Sequence, residues 1–163
     1  MKKIVLLSDS HSYIDDLILG NIVECDEVWH AGDIGTISVI ERIREIKPLR
    51  AVYGNIDGND IRRIFPKIDI FEREGNKILM THAGGYPGKY LNEIKNIIKR
   101  ELPFIVVCGH SHILKIIYDK EYRHLHLNPG AIGKYGFHVK RTLLRFDLSY
   151  NNVSNMEIIE YEK

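Results

Sequence analysis

Short apolar runs alternate with amphipathic stripes along the first half of the chain. Ile4–Leu7 is a continuous apolar run and reads as a buried strand. Ile14, Leu17, Ile18 and Ile22 then fall on one helical face, with Ser12 and Asp15 spaced as a capping box ahead of it. Glu27–His30 reads as a second short strand. Val39, Ile40, Ile43 and Ile46 mark a second helix, with Ser38 and Glu41 as its box and Pro48 beyond its end. Leu49–Tyr53 is the third strand. This βαβαβ order predicts a parallel sheet with right-handed crossovers.

The second half has another rhythm. Ile68–Arg73 and Lys77–Met80 flank the turn "EGN" and predict a hairpin. Leu91, Ile94, Ile97 and Ile98 form a helical stripe closed by Pro103, and Phe104–Val107 reads as a fully buried strand. From Ile113 onward the segments "ILKIIYD", "YRHLHLN", "RTLLRFDL" and "VSNMEIIEYE" all read as strand. An α/β half joined to a strand-rich half predicts two sheets packed face to face with helices outside.

Composition narrows the class. The chain has 163 residues, without repeat, linker or low-complexity stretch, so one domain over 1–163 is expected. Apolar residues make up 44% and charged residues 28%, as in an ordinary globular protein. Lys and Arg total 23 against 22 Asp and Glu, a balance that predicts no electrostatic grip on nucleic acid or acidic membranes. The opening "MKKIVLLSDS" has only a four-residue apolar run, too short for a signal peptide, and no run approaches the ~18 residues of a membrane span. Cys25 and Cys108 form no spaced framework and read as reduced thiols of a cytoplasmic protein. Oligomeric state is not legible, and a homo-oligomer stays open.

Chemistry enters at the ends of the apolar runs. After "KKIVLL" come Asp9 and His11; after "EVWHA", Asp33; after "LRAVY", Asn55; after "KILM", His82; after "FIVVC", His110 and His112. In open α/β sheets, sites form at the carboxyl ends of strands. Parallel strands bring those ends to one edge, so residues distant in sequence can converge. Glycines just before Asp33, Asn55 and His110 allow sharp turns there. Four imidazoles, two carboxylates and one amide oxygen suit Mn, Fe, Co, Ni or Zn better than Ca or Mg. Seven ligands exceed one tetrahedral site and fall short of two closed cages. A carboxylate bridging two metals resolves the count and leaves an open position on each, the arrangement of two-metal hydrolysis.

The order D-x-H, G-D, G-N, H, G-H-x-H, with "GNIDG" and the late "LNPGA", resembles the calcineurin-like metallophosphoesterase superfamily, in particular its small YfcE-type phosphodiesterase branch. The resemblance implies a four-layer α-β-β-α sandwich of two mixed sheets flanked by helices. It also implies two divalent transition metals, with Mn the first expectation. One would be held by Asp9, His11, Asp33 and His112, and the other by Asp33, Asn55, His82 and His110, with Asp33 as the bridge. The implied reaction is hydrolysis of a small phosphodiester by a water that the two metals share. Many members have a His after the Asn that protonates the leaving group. Here Ile56 stands in its place, which predicts a preference for acidic leaving groups. Asp57 and His138 are the candidate substitute acids. Two alternatives accompany this reading: a partner-binding scaffold like the retromer subunit of similar fold, and a phosphomonoesterase.

Among the remaining residues, His30 reads as a group orienting the Asp33 loop. His124 and His126 share one face of a late strand and read as packing residues. Tyr86 and Lys89 follow "THAGG" and are candidates for substrate contact.

Overall fold

The computed structural model describes residues 1–163 as two five-stranded sheets and four helices. The strands are β1 (Lys2–Leu7), β2 (Glu27–His30), β3 (Leu49–Ala51), β4 (Ile68–Arg73), β5 (Asn76–Thr81), β6 (Ile105–Val107), β7 (Leu114–Asp119), β8 (His124–Pro129), β9 (Lys140–Ser149) and β10 (Asn152–Glu162). The helices are α1 (Asp16–Val23), α2 (Ile37–Arg44), α3 (Asn59–Arg62) and α4 (Asn92–Glu101). The first sheet has the order β10-β9-β1-β2-β3 and the second β4-β5-β6-β8-β7. β1, β2 and β3 are parallel, as the alternation of strand and helix predicts, while β9 joins β1 antiparallel. In the second sheet β5, β6 and β8 run parallel, and β4 and β7 are antiparallel edges.

The period-2 alternation of β1 builds two cores at once. Ile4 and Leu6 point into the space between the sheets, where they meet Trp29, Phe146, Met80 and Val107. Val5 and Leu7 point the other way, against Ile18 and Ile22 of α1 and Ile40 and Ile43 of α2. Both faces of β1 are covered, so its interior reads as an unbroken apolar run. On the far side of the second sheet, Ile94 and Ile98 of α4 cover Leu79, Val106 and Cys108. The layers are therefore helix, sheet, sheet, helix. Trp29 is fully buried, its ring meeting Phe71 and Phe146 edge-on at 5.3 and 5.9 Å. Truncating so large a side chain costs ~3–5 kcal/mol.

Several local expectations are corrected. Ser12 is not a cap: its backbone is left-handed (φ 69°) and its N–H donates to the Ile34 carbonyl. Asp15 is itself the N-cap of α1, accepting from Ile18 N at 2.9 Å. The helix thus starts later than the stripe suggests, which leaves Leu17 exposed in its first turn. The second helix is capped at Thr36 with no side-chain bond, so Ser38 and Glu41 form no box. β3 pairs only as far as Ala51, because it is an edge strand with one neighbour. Beyond "GNIDG", the single turn α3 has no apolar period to announce it. No helix is long and apolar enough to cross a membrane.

Candidate metal centre

All the ligand-type residues lie just past strand ends. Asp9 and His11 follow β1, Asp33 follows β2, Asn55 follows β3, His82 follows β5, and His110 and His112 follow β6. The chain must leave each strand sharply to aim these side chains at one place. The cost shows in the backbone: Asp9, His11, Asp33, His110 and His112 all have positive φ, between 45° and 68°. Residues with a Cβ avoid this region, and such strain gathers at functional sites. Glycines provide the clearance around them. A methyl on Gly32 would lie 2.8 Å from His82 Cγ, and one on Gly54 would lie 2.8 Å from Asp33 Cγ.

Two groups of ligand atoms result. Asp9, His11 and His112 converge in one, and Asp33, His82 and His110 in the other, with the atoms of each within 4.8 Å of one another. Asn55 Oδ1 lies 3.1 Å from His82 Nε2 and 3.0 Å from His110 Nδ1, which adds the amide oxygen to the second group. Asp33 Oδ2 stands between the groups, 3.2 Å from His82 Nε2 and 3.6 Å from His11 Nε2.

Hydrogen bonds fix which atoms face inward. Asp9 Oδ2 accepts from Ser8 Oγ at 2.7 Å and from His110 N at 3.1 Å. Its Oδ1 is buried without any donor, and so is His11 Nε2. Unpartnered buried polar atoms are costly, and two that can each offer a lone pair, 3.9 Å apart, leave room for a cation between them. His82 Nδ1 donates to the Ala31 carbonyl at 2.7 Å, which turns its Nε2 toward the Asp33 and Asn55 oxygens. Burial acts to depress the His82 pKa, but the hydrogen bond that His82 donates to Asp33 and the charges of Asp9 and Asp33 hold it above the ordinary value. For His11, burial outweighs the same two carboxylates and the pKa falls. The donor set and its bare inner atoms fit divalent transition metals.

His30 supports the site from behind. Its Nδ1 accepts from Gly32 N, so its Nε2–H donates to Ser10 Oγ at 2.8 Å, and Ser10 Oγ donates to the Ile34 carbonyl. Burial pushes its pKa down to about 3, and the ring stays neutral.

The two candidate acids are corrected. Asp57 is buried and turned away from the cleft, where it accepts from the N–H groups of Ile34, Gly35 and Gly54. It clamps the Asp33 loop to the Asn55 loop. His138 donates from Nε2 to the Gly133 carbonyl, and its Nδ1 faces His112 Nδ1 at 3.3 Å. With the His138 proton on Nε2, its Nδ1 is the acceptor for His112 Nδ1–H. In this arrangement His138 orients His112, and both its nitrogens are engaged. Ile56 is 46% exposed, and its N–H donates to Asp33 Oδ1 at 3.0 Å. Neither its role as a backbone clamp nor the left-handed ligand positions had any signal in the sequence.

Residues 1–151 match the calcineurin-like phosphoesterase superfamily domain, and the chain belongs to that superfamily. A probable metallophosphoesterase of Methanothermobacter thermautotrophicus is 24% identical over 131 residues, spanning 77% of this chain and 74% of that protein. Among solved structures, an archaeal phosphodiesterase superposes with a TM-score of 0.68 at 23% identity, over 98% of this chain and 99% of its own. The zinc complex of Vps29 from Entamoeba histolytica superposes with a TM-score of 0.74 at 14% identity, over 98% of both chains. These likenesses establish a shared fold.

Proposed function

We propose that the protein is a dinuclear metal-dependent phosphodiesterase of the cytoplasm that hydrolyses small phosphodiesters with acidic leaving groups. The observation that carries this reading is the pair of buried, unpartnered atoms, Asp9 Oδ1 and His11 Nε2, facing each other among converging ligands. Asp9, His11, Asp33 and His112 would hold one ion, and Asp33, Asn55, His82 and His110 the other, with Mn the first candidate. Bound there, two divalent ions supply charge for the phosphoryl oxygens and acidify an attacking water.

The chain's own residues set the rest. Ser8 and the His110 N–H fix the rotamer of Asp9, and the Ile56 N–H fixes that of Asp33. His138 and the Ala31 carbonyl fix the ring orientations of His112 and His82. Neither residue following Asn55 is placed to protonate a leaving oxygen, since the Ile56 side chain has no ionisable proton and Asp57 is clamped by three N–H groups. That favours esters whose leaving group departs as a stable anion, and diesters over alkyl monoesters and protein phosphates.

The likeness to Vps29 structures supports a second reading, a partner-binding scaffold of the same fold. Metal analysis of chelator-free protein, joined to a screen of aryl phosphodiesters, cyclic nucleotides and phosphomonoesters with Mn, Ni, Co, Zn and Mg, separates the two. About two ions per chain and aryl diester hydrolysis are expected. Absence of both would leave the scaffold.

A further inference from the structure

The β7–β8 register carries a set of side chains that the metal centre does not use. Lys115 pairs with Asn128 and Ile117 with His126, so Lys115, His126 and Asn128 lie on the same face of the second sheet, directly below the turn bearing His110. Together with Tyr86, His110 and Ser111 they line a cavity of about 320 Å³ that opens beside the metal centre.

Lys115 is the only Lys, Arg, Asp or Glu in the lining of this cavity. The Lys115 ammonium rests 3.5 Å from the centre of the Tyr86 ring, and no ion pair of the protein includes it. Ser111 Oγ accepts from Ile113 N and from Asn128 Nδ2, so its own proton has no acceptor in the protein. Asn128 is used up: its Nδ2 donates to Ser111 Oγ and the Gly109 carbonyl, and its Oδ1 accepts from Gly130 N. His126 is fully buried, so its Nε2, which has no partner, lies beneath the surface of the cavity.

The tautomer of His126 follows from its neighbours. Tyr90 Oη lies 2.7 Å from His126 Nδ1 and 2.8 Å from His124 Nε2, and one hydroxyl proton serves only one of them. Asp119 Oδ2 lies 3.9 Å from His124 Nε2 and favours a proton there. His124 therefore donates to Tyr90, Tyr90 donates to His126 Nδ1, and the His126 proton sits on Nε2. Burial lowers the His126 pKa to about 4, so the ring remains a neutral donor. No carboxylate lines the cavity.

We propose that this cavity is the subsite for one ester arm of the substrate, and that it selects an arm ending in an anionic oxygen group, a carboxylate or a phosphoryl. A lining with the Lys115 ammonium and the Ser111 hydroxyl and without a carboxylate satisfies such a group and leaves a cationic arm unpaired. The proposal deepens the phosphodiesterase reading and rests on it.

The test uses two p-nitrophenyl phosphodiesters whose second arm is the same alkyl chain, ending in a carboxylate in one and in its methyl ester in the other. Both release the same chromophore, so only recognition of the arm differs. With the Mn-loaded protein, kcat/KM favours the carboxylate arm by about tenfold, the size of one charge-assisted hydrogen bond. Added salt narrows the ratio. Lys115→Gln brings it near one, and Lys115→Glu inverts it, a reversal that loss of packing does not produce. Equal hydrolysis of both diesters by the wild type, or a ratio unmoved by Lys115→Glu, overturns the subsite and leaves the phosphodiesterase reading standing. Hydrolysis of neither diester overturns both.

Discussion

Gly54→Ala is the sharpest probe of how tightly the site is built. The added methyl group would lie 2.8 Å from Asp33 Cγ and nearer still to Asp33 Oδ1, where ordinary contact begins at 3.4 Å. Gly54 is buried between the Asn55 turn and the Asp33 loop, and Asp57 ties both loops together through Gly54 N at 2.8 Å. The clash includes the Asp33 backbone nitrogen, and the loops cannot open independently, so Asp33 has to shift as a whole by about 1 Å or shift and rotate its side chain. Either movement breaks its bond from Ile56 N and displaces the carboxylate that stands between the two ligand groups. A misplacement of that size costs about 10²-fold in rate, while overpacking costs ~1–3 kcal/mol in stability. The assay is kcat/KM on an aryl phosphodiester, with metal content and thermal unfolding measured on the same preparation. A drop of about a hundredfold in a protein that remains folded is expected. Activity within threefold of wild type would show that Asp33 need not sit where the structure places it.

Four further outcomes follow from the same geometry. Asp33→Ala should lose ions from both positions, seen by elemental analysis of chelator-free protein; full occupancy would remove Asp33 as the bridge. Ile56→His should raise the rate on alkyl esters by about 10²-fold and on aryl esters far less, flattening a plot of rate against leaving-group pKa; a wild-type plot already flat contradicts the missing acid. Chelation should lower the melting temperature by roughly 5–11 °C relative to protein at 100 times the metal Kd, since binding there adds about 2.7 kcal/mol; an unchanged melting curve would deny the ions a structural place. In metal-free protein, stability should fall as pH drops below about 6.5, the ordinary histidine value. Burial holds His30 at about 3 and His126 at about 4, so in that window these two rings bind more protons in the unfolded chain, and they outnumber His82, whose raised pKa acts the other way. A melting temperature constant from pH 7 to pH 4.5 would refute this.

The chain's own pattern determined much of this protein. Strand interiors covered on both faces read as unbroken apolar runs, which made β1 and β6 legible. Ligand-type residues after five such runs were legible because a metal site needs particular atoms whatever surrounds them. The family match over residues 1–151 agrees with that reading. Other features depended on contacts between distant segments. Asp57 looks like an acid in "GNIDG", yet three backbone N–H groups, two of them more than twenty residues away, turn it into a clamp. His138 looks like a free imidazole until His112 and the Gly133 carbonyl occupy both its nitrogens. Ser12 lost its cap to Asp15 because the Ile34 carbonyl holds its backbone elsewhere. Lys115 carries no motif at all, and only the register of β7 on β8 sets it beside His126 and Asn128, next to the metal centre. Sequence fixes which atoms each segment can offer. Which of those atoms stay free for chemistry is decided by the partners that folding brings to them.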